Sequence, residues 1–241
     1  MFRYGRFCRG NPGLYGKKKA SILSIRKDFY YNRRARYYLS DEPSPSQAYL
    51  CIVLHGYGQL PEYFIKHFSR LERKDILFVA PEGLHRFYLN GSKGRVGSSW
   101  MTKEDRLNDI DDYCNLLEEV AEQLVAANSF DKIVLLGFSQ GVATACRWMS
   151  RTKKPIDELI LWSGAFPPDL SFEEAVQSIG TKPVSMLLGD NDEYAKPERL
   201  EEQKSYLAEN GIQVQSQLFK GGHTIVPEVL EELVAKIFPK L

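Results

Sequence analysis

The chain has 241 residues with 43% hydrophobic and 26% charged side chains, enough apolar mass for one α/β domain with a full core and too much for a disordered chain. Its formal net charge of +1 creates no global field that would gather nucleic acid. No apolar run approaches the roughly 18 residues a membrane-spanning helix needs, so neither a nucleic-acid partner nor stable membrane insertion is expected.

The N-terminal stretch carries Arg3, Arg6, Arg9, Lys17, Lys18, Lys19, Arg26 and Lys27 and no acidic residue before Asp28. It lacks the apolar segment of a secretory signal, which points to a cytoplasmic protein. Residues 1–20 read as a poorly ordered basic arm and residues 21–241 as a single domain. Residues 23–30 and 33–39 read as two strands around Asn32. The run Tyr49 to Leu54 is continuously apolar, as is Ile76 to Ala80, the pattern of strands buried on both faces. Between them, Glu42-Pro43-Ser44-Pro45-Ser46 reads as a loop.

Residues 86–100 are polar and glycine-rich and read as a loop. A helix is expected over about 103–127, with Thr102 and Asp105 as a capping box. Its apolar stripe is Leu107, Ile110, Cys114, Leu117, Ala121 and Leu124. Further strands fall at 133–136, 158–162, 184–188 and near 212–219, with helices from about Pro197 to Asn210 and Pro227 to Phe238. Regular alternation of this kind implies a mostly parallel central sheet with helices on both faces. The cysteines, Cys8, Cys51, Cys114 and Cys146, are far apart and read as free thiols of a reducing compartment.

Gly137-Phe138-Ser139-Gln140-Gly141 sits between the strand at 132–136 and a helical stretch at 142–149. G-x-S-x-G in a strand–turn–helix setting is the context of a nucleophile elbow. A serine hydroxyl needs a base, and His223 is the only histidine after Ser139. It lies in Lys220-Gly221-Gly222-His223-Thr224, at the carboxyl end of a strand. The acid that would orient it belongs between the two, after a strand. Gly189-Asp190-Asn191-Asp192-Glu193 supplies three candidates, of which Asp192 is preferred, then Asp190, then Glu193. Backbone N–H groups for an oxyanion would come from Gln140, which follows the nucleophile, and from His55-Gly56-Tyr57-Gly58, where Tyr57 is the candidate donor. His55 reads as a brace for that loop.

The order H-G-x-G, G-F-S-Q-G, G-D-x-D, G-G-H resembles the phospholipase/carboxylesterase family of α/β-hydrolases, which includes acyl-protein thioesterases and small bacterial carboxylesterases. The resemblance spans roughly residues 49–238. It implies the α/β-hydrolase fold, a triad of Ser139, Asp192 and His223, and an oxyanion hole from the N–H groups of Tyr57 and Gln140. In that family the second aspartate of G-D-x-D is the triad acid, in favour of Asp192. A proline commonly follows that aspartate, whereas here Glu193 does. The segment 86–100 looks like the loop that walls the acyl pocket, with Trp100, Phe87 and Tyr88 as substrate contacts. Pocket depth is expected from it and from residues 164–171.

The activity these readings imply is cleavage of small-molecule carboxylic esters through an acyl-enzyme. Thioester or lactone hydrolysis at the same site is the alternative, and a non-catalytic binding module the more distant one. No metal-binding or dinucleotide motif occurs, so no cofactor and no metal are expected. Small esterases of this type can form homodimers, which is the one protein partner anticipated.

Overall fold

Six consecutive buried residues, Tyr49–Leu54, form strand β2. Such a strand has no face to give to water, so it must lie inside a sheet covered on both sides. The computed structural model, which describes residues 25–240, places it so. β2 pairs in parallel with β3 (Ile76–Pro81) on one side and β6 (Lys132–Phe138) on the other. A seven-stranded sheet results, in the order β1-β3-β2-β6-β7-β8-β9. Here β1 is Tyr37–Leu39, β7 Glu158–Trp162, β8 Val184–Gly189 and β9 Gln215–Phe219. All pairs are parallel except the edge strand β1 against β3. A separate antiparallel hairpin joins β4 (His85–Asn90) to β5 (Lys93–Ser99).

The period of two along β2 divides the core. Leu50, Ile52 and Leu54 enter one apolar cluster, and Tyr49, Cys51 and Val53 the other. The first cluster is closed by α3 (Arg106–Ala127), α4 (Gln140–Met149), α5 (Phe172–Ser178) and α6 (Glu198–Glu209). The second is closed by the short helices α1 (Pro61–Phe64) and α2 (Lys66–Ser69) and by α7 (Pro227–Ile237). This is the three-layer α/β-hydrolase architecture, and it collects the loops after β2, β6, β7, β8 and β9 at one end of the sheet.

The structure differs from the sequence reading in four places. Residues 25–34 carry no strand, and β1 pairs with β3 rather than with a preceding partner. Charged residues at 26, 27, 28, 33 and 34 fall on both faces of any strand there, leaving no apolar face to bury. Residues 1–20, read as a basic arm, and Cys8 lie outside the described residues; Cys51, Cys114 and Cys146 are free and buried. Helix α3 starts at Arg106, because Asp105 takes a left-handed conformation with φ 53° and does not cap with its side chain. Asp109 instead accepts the Thr102 N–H at 3.0 Å.

The last strand begins at Gln215, since Ile212 and Val214 are drawn into the core ahead of it. Residues 86–100 form the β4–β5 hairpin rather than a loop, and its turn signal, Asn90-Gly91, was present in the sequence.

Helix α3 offers an internal contrast. Leu117 is fully buried, whereas Leu107, assigned to the same stripe from the sequence, is exposed. Leu117→Ala should cost about 2–5 kcal/mol in urea unfolding. Leu107→Ala should change stability by no more than about 0.5 kcal/mol. Equal losses would mean that the core face of α3 is misassigned.

Candidate active site

The turn from β6 into α4 holds Ser139 at φ 54° and ψ −116°, a conformation non-glycine residues rarely adopt. Crowding dictates the flanking glycines. A Cβ on Gly137 would lie 2.3 Å from the Gly141 carbonyl oxygen, and one on Gly141 would lie 2.2 Å from that of Leu54. Ser139 N–H donates to the Trp162 carbonyl at 2.9 Å, which ties the turn to β7.

Three acids after β8 divide three tasks. Asp190 Oδ1 accepts the Gly221 N–H at 2.9 Å. Glu193 Oε2 accepts the His223 N–H at 3.3 Å. Only Asp192 meets the imidazole, with Oδ2 2.8 Å from His223 Nδ1. Its side chain is 0% exposed, and Oδ1 accepts the N–H groups of Tyr194 at 2.9 Å and Ala195 at 3.2 Å. A buried carboxylate held this way fixes Nδ1 as the proton-bearing nitrogen and leaves the Nε2 lone pair free.

The imidazole lies between the rings of Phe138 and Tyr194, at centroid distances of 5.0 and 4.6 Å. Trp162 Nε1 donates to the Thr224 carbonyl at 3.0 Å and secures the histidine loop from below. Ser139 and His223 border one cavity, although Ser139 Oγ and His223 are not hydrogen-bonded to each other, as is common before substrate binds.

The loop after β2 is fixed from beneath. His55 is completely buried, donates from Nδ1 to the Gly56 carbonyl at 2.8 Å and accepts the Gly83 N–H on Nε2 at 3.0 Å. Burial pushes its pKa down to about 4, against smaller opposing effects of the Gly56 hydrogen bond and Glu82. It is therefore a neutral brace, as its sequence position suggested. Within the loop, the Gly56 N–H goes to Gln59 Oε1 at 2.7 Å, Gly58 to the Ser98 carbonyl at 2.8 Å and Gln59 to the Gly56 carbonyl at 3.2 Å. The Tyr57 N–H has no such partner within the loop. The Gln140 N–H opens α4, where a helix leaves its first amides without internal acceptors. The Gln140 side chain bonds the Trp100 N–H through Oε1 at 3.1 Å and the Met101 carbonyl through Nε2 at 3.0 Å.

The cavity beside Ser139 and His223 has a volume of about 610 Å³. Its apolar walls come from the 164–172 segment and from α6, including Phe166, Leu170, Phe172, Leu200 and Leu207. The three aromatic residues expected to touch substrate do not line it. Trp100 is 0% exposed, stacks on His55 at 4.9 Å and donates Nε1–H to the His55 carbonyl at 2.8 Å. Phe87 packs on Tyr57 at 5.0 Å, and Tyr88 is exposed on the hairpin.

Phe87 and Tyr88 lie on β4, where Phe87 packs on Tyr57, and the polar demand of the indole N–H draws Trp100 onto the His55 carbonyl. Helix α6 was legible in the sequence, but its part in the cavity was not. Nothing in the sequence singles out Leu200 and Leu207, and the packing that brings them to the cavity beside Ser139 is tertiary. Among the described residues no group of three or more His, Cys, Asp or Glu could hold a metal ion, and no helix is long and apolar enough to cross a membrane.

Because the folded pKa of His55 lies below its ordinary 6.5, the unfolded chain takes up the proton first. The stabilisation is complete above pH 6.5 and is lost as pH falls toward 4. Between pH 7 and 5 the parent should lose about 2 kcal/mol more unfolding free energy than a His55→Asn variant. Identical pH dependence in urea titrations of the two proteins would refute the buried neutral imidazole.

The family model described as Phospholipase/Carboxylesterase matches residues 41–238. A search of curated proteins finds no match. Esterase PE8 aligns with a TM-score of 0.61 at 24% identity, covering 86% of this chain and 100% of its own. Zea mays acyl-protein thioesterase 2 aligns with a TM-score of 0.65 at 21% identity, covering 85% and 98%. The Bacillus cereus carboxylesterase aligns with a TM-score of 0.61 at 19% identity, covering 86% and 96%. At these identities the solved structures speak to fold. The family model covers most of the chain, and so the protein belongs to the phospholipase/carboxylesterase family of α/β-hydrolases.

Proposed function

We propose that the protein is a serine hydrolase that cleaves carboxylic esters through an acyl-enzyme. The observation that carries this reading is the 2.8 Å contact of His223 Nδ1 with the buried Asp192 carboxylate, on a loop that faces Ser139 across one cavity. Ser139 Oγ attacks the ester carbonyl while His223 Nε2 accepts its proton. The charge that develops on the carbonyl oxygen is met by the N–H groups of Tyr57 and Gln140. His223 then donates the proton to the leaving alcohol, and the acyl-enzyme forms. Water, deprotonated by the same nitrogen, releases the acid. Asp192 holds the tautomer and stabilises the imidazolium at both steps.

The apolar cavity suits the acyl chain of such an ester. The same machinery would accept a thioester, a reading favoured by the likeness to the Zea mays acyl-protein thioesterase. Rates on matched oxygen and thiol esters distinguish the two.

Ser139→Ala should leave the melting temperature near that of the parent and lower ester hydrolysis by about 10⁴-fold or more. Failure of a fluorophosphonate to label Ser139 in folded protein would turn the reading towards a binding module. Asp192→Asn should cost about 10³–10⁴-fold in kcat, since an amide can present the wrong group to Nδ1. Asp190→Asn should cost less than about tenfold, because its amide oxygen still accepts the Gly221 N–H. The reverse order, at equal folded fraction, would move the acid to Asp190.

A further inference from the structure

The wall of the cavity between β7 and α5 has no helix or strand over residues 163–171. Its backbone is lightly tethered. Ser163 N–H donates to the Leu187 carbonyl at 2.7 Å where the segment leaves the sheet. Phe166 N–H donates to Gln203 Oε1 on α6 at 2.9 Å. Beyond Phe166 the anchor is a side chain, Asp169. Its carboxylate receives Arg147 Nε at 3.1 Å and Nη2 at 2.7 Å, with Arg106 Nη2 at 2.6 Å from the same group. Arg147 is buried on α4, the helix that follows Ser139, and its Nη1 also reaches Tyr113 Oη at 3.4 Å. Pro167, Pro168 and Leu170, the neighbours of Asp169, line the cavity, while Asp169 and Arg147 do not.

We propose that the Arg147–Asp169 ion pair determines which acyl-chain lengths the cavity accepts, by fixing the 167–170 wall against the nucleophile helix. This rests on the esterase reading above. Neither residue touches the cavity or the reacting atoms, so both are positioning residues. A planar guanidinium with two parallel bonds to one carboxylate fixes direction as well as distance, which a hydrophobic contact does not. The pair therefore acts where a long chain would press, at the 167–170 turn, whose backbone bond, Leu170 N–H to the Pro167 carbonyl at 3.4 Å, stays within the turn. A short acyl group, held near Ser139, does not depend on it. A residue needed only for stability would lower the rate on every chain length alike.

The test is the ratio of kcat/KM for p-nitrophenyl decanoate to that for the acetate. It is measured in the parent, in Asp169→Asn, and in the double variant Arg147→Met with Asp169→Leu. The double variant removes both charges of the pair, buried Arg147 and exposed Asp169, and leaves the partly exposed Arg106 to solvent, and its urea-unfolding midpoint is compared with the parent's to establish that it folds. Both variants should keep acetate hydrolysis within about twofold and lose about tenfold in the decanoate-to-acetate ratio. Asp169→Glu, which keeps the carboxylate, should recover most of that ratio. An unchanged ratio in folded double variant, or a parallel fall on all chain lengths, overturns the inference alone. A parent without Ser139-dependent cleavage of any ester overturns the esterase reading and this inference with it.

Discussion

The active end of this protein depends on one close approach of backbone to backbone. The main chain leaving β2 passes the first turn of α4 so tightly that the Leu54 carbonyl occupies the place where a side chain at 141 would begin. That contact brings the loop after β2 and the serine after β6 into one site, although more than eighty residues separate them. Beside it the Ser139 backbone holds its strained conformation, at the end of a strand paired on both sides. Strain at a single residue costs of order 1–3 kcal/mol and persists only with such support.

Beneath the loop after β2 a buried polar network adjoins the apolar core. His55, Gly83, Ser98 and Trp100 exchange hydrogen bonds in a region closed to solvent, and Gln140 reaches in from α4. A fully satisfied network of this kind rigidifies its surroundings, and a half-satisfied one is costly. Adjacent to it, Glu82 is buried between Arg36 and Arg86, which outweigh the penalty of its burial and hold its carboxyl below the ordinary range. The loop after β2 is therefore set on a stiff base, while the cavity wall at 163–171 is held by the Ser163–Leu187 backbone bond and by the side chains of Gln203 and Asp169.

Much of this was legible in the chain itself. The continuous apolar runs gave the buried strands, and the alternation of strands and helices gave the layers, because burial on both faces leaves no other composition open. The G-x-S-x-G pentapeptide in its strand–turn–helix context, the single later histidine and the acids after β8 pointed to residues that the structure brings together at one cavity. His55, read as a brace for the loop after β2, is buried and hydrogen-bonded to Gly56 and Gly83.

Other features were decided only when distant segments met. Asp190, Asp192 and Glu193 lie within four residues and differ little as local chemistry; the sequence order favoured Asp192, and the turn after β8 sets that carboxylate against His223 while the other two take backbone N–H groups. Trp100, Phe87 and Tyr88 were aromatic residues in the expected segment, yet the hairpin's register and the indole's need for an acceptor turned them away from the cavity. Leu200 and Leu207 became cavity wall because α6 packs across the end of β8. Sequence records which residues can bury or react, through local composition and order. Which of them share one cavity depends on the packing of elements far apart in the chain, and no local pattern carries that information.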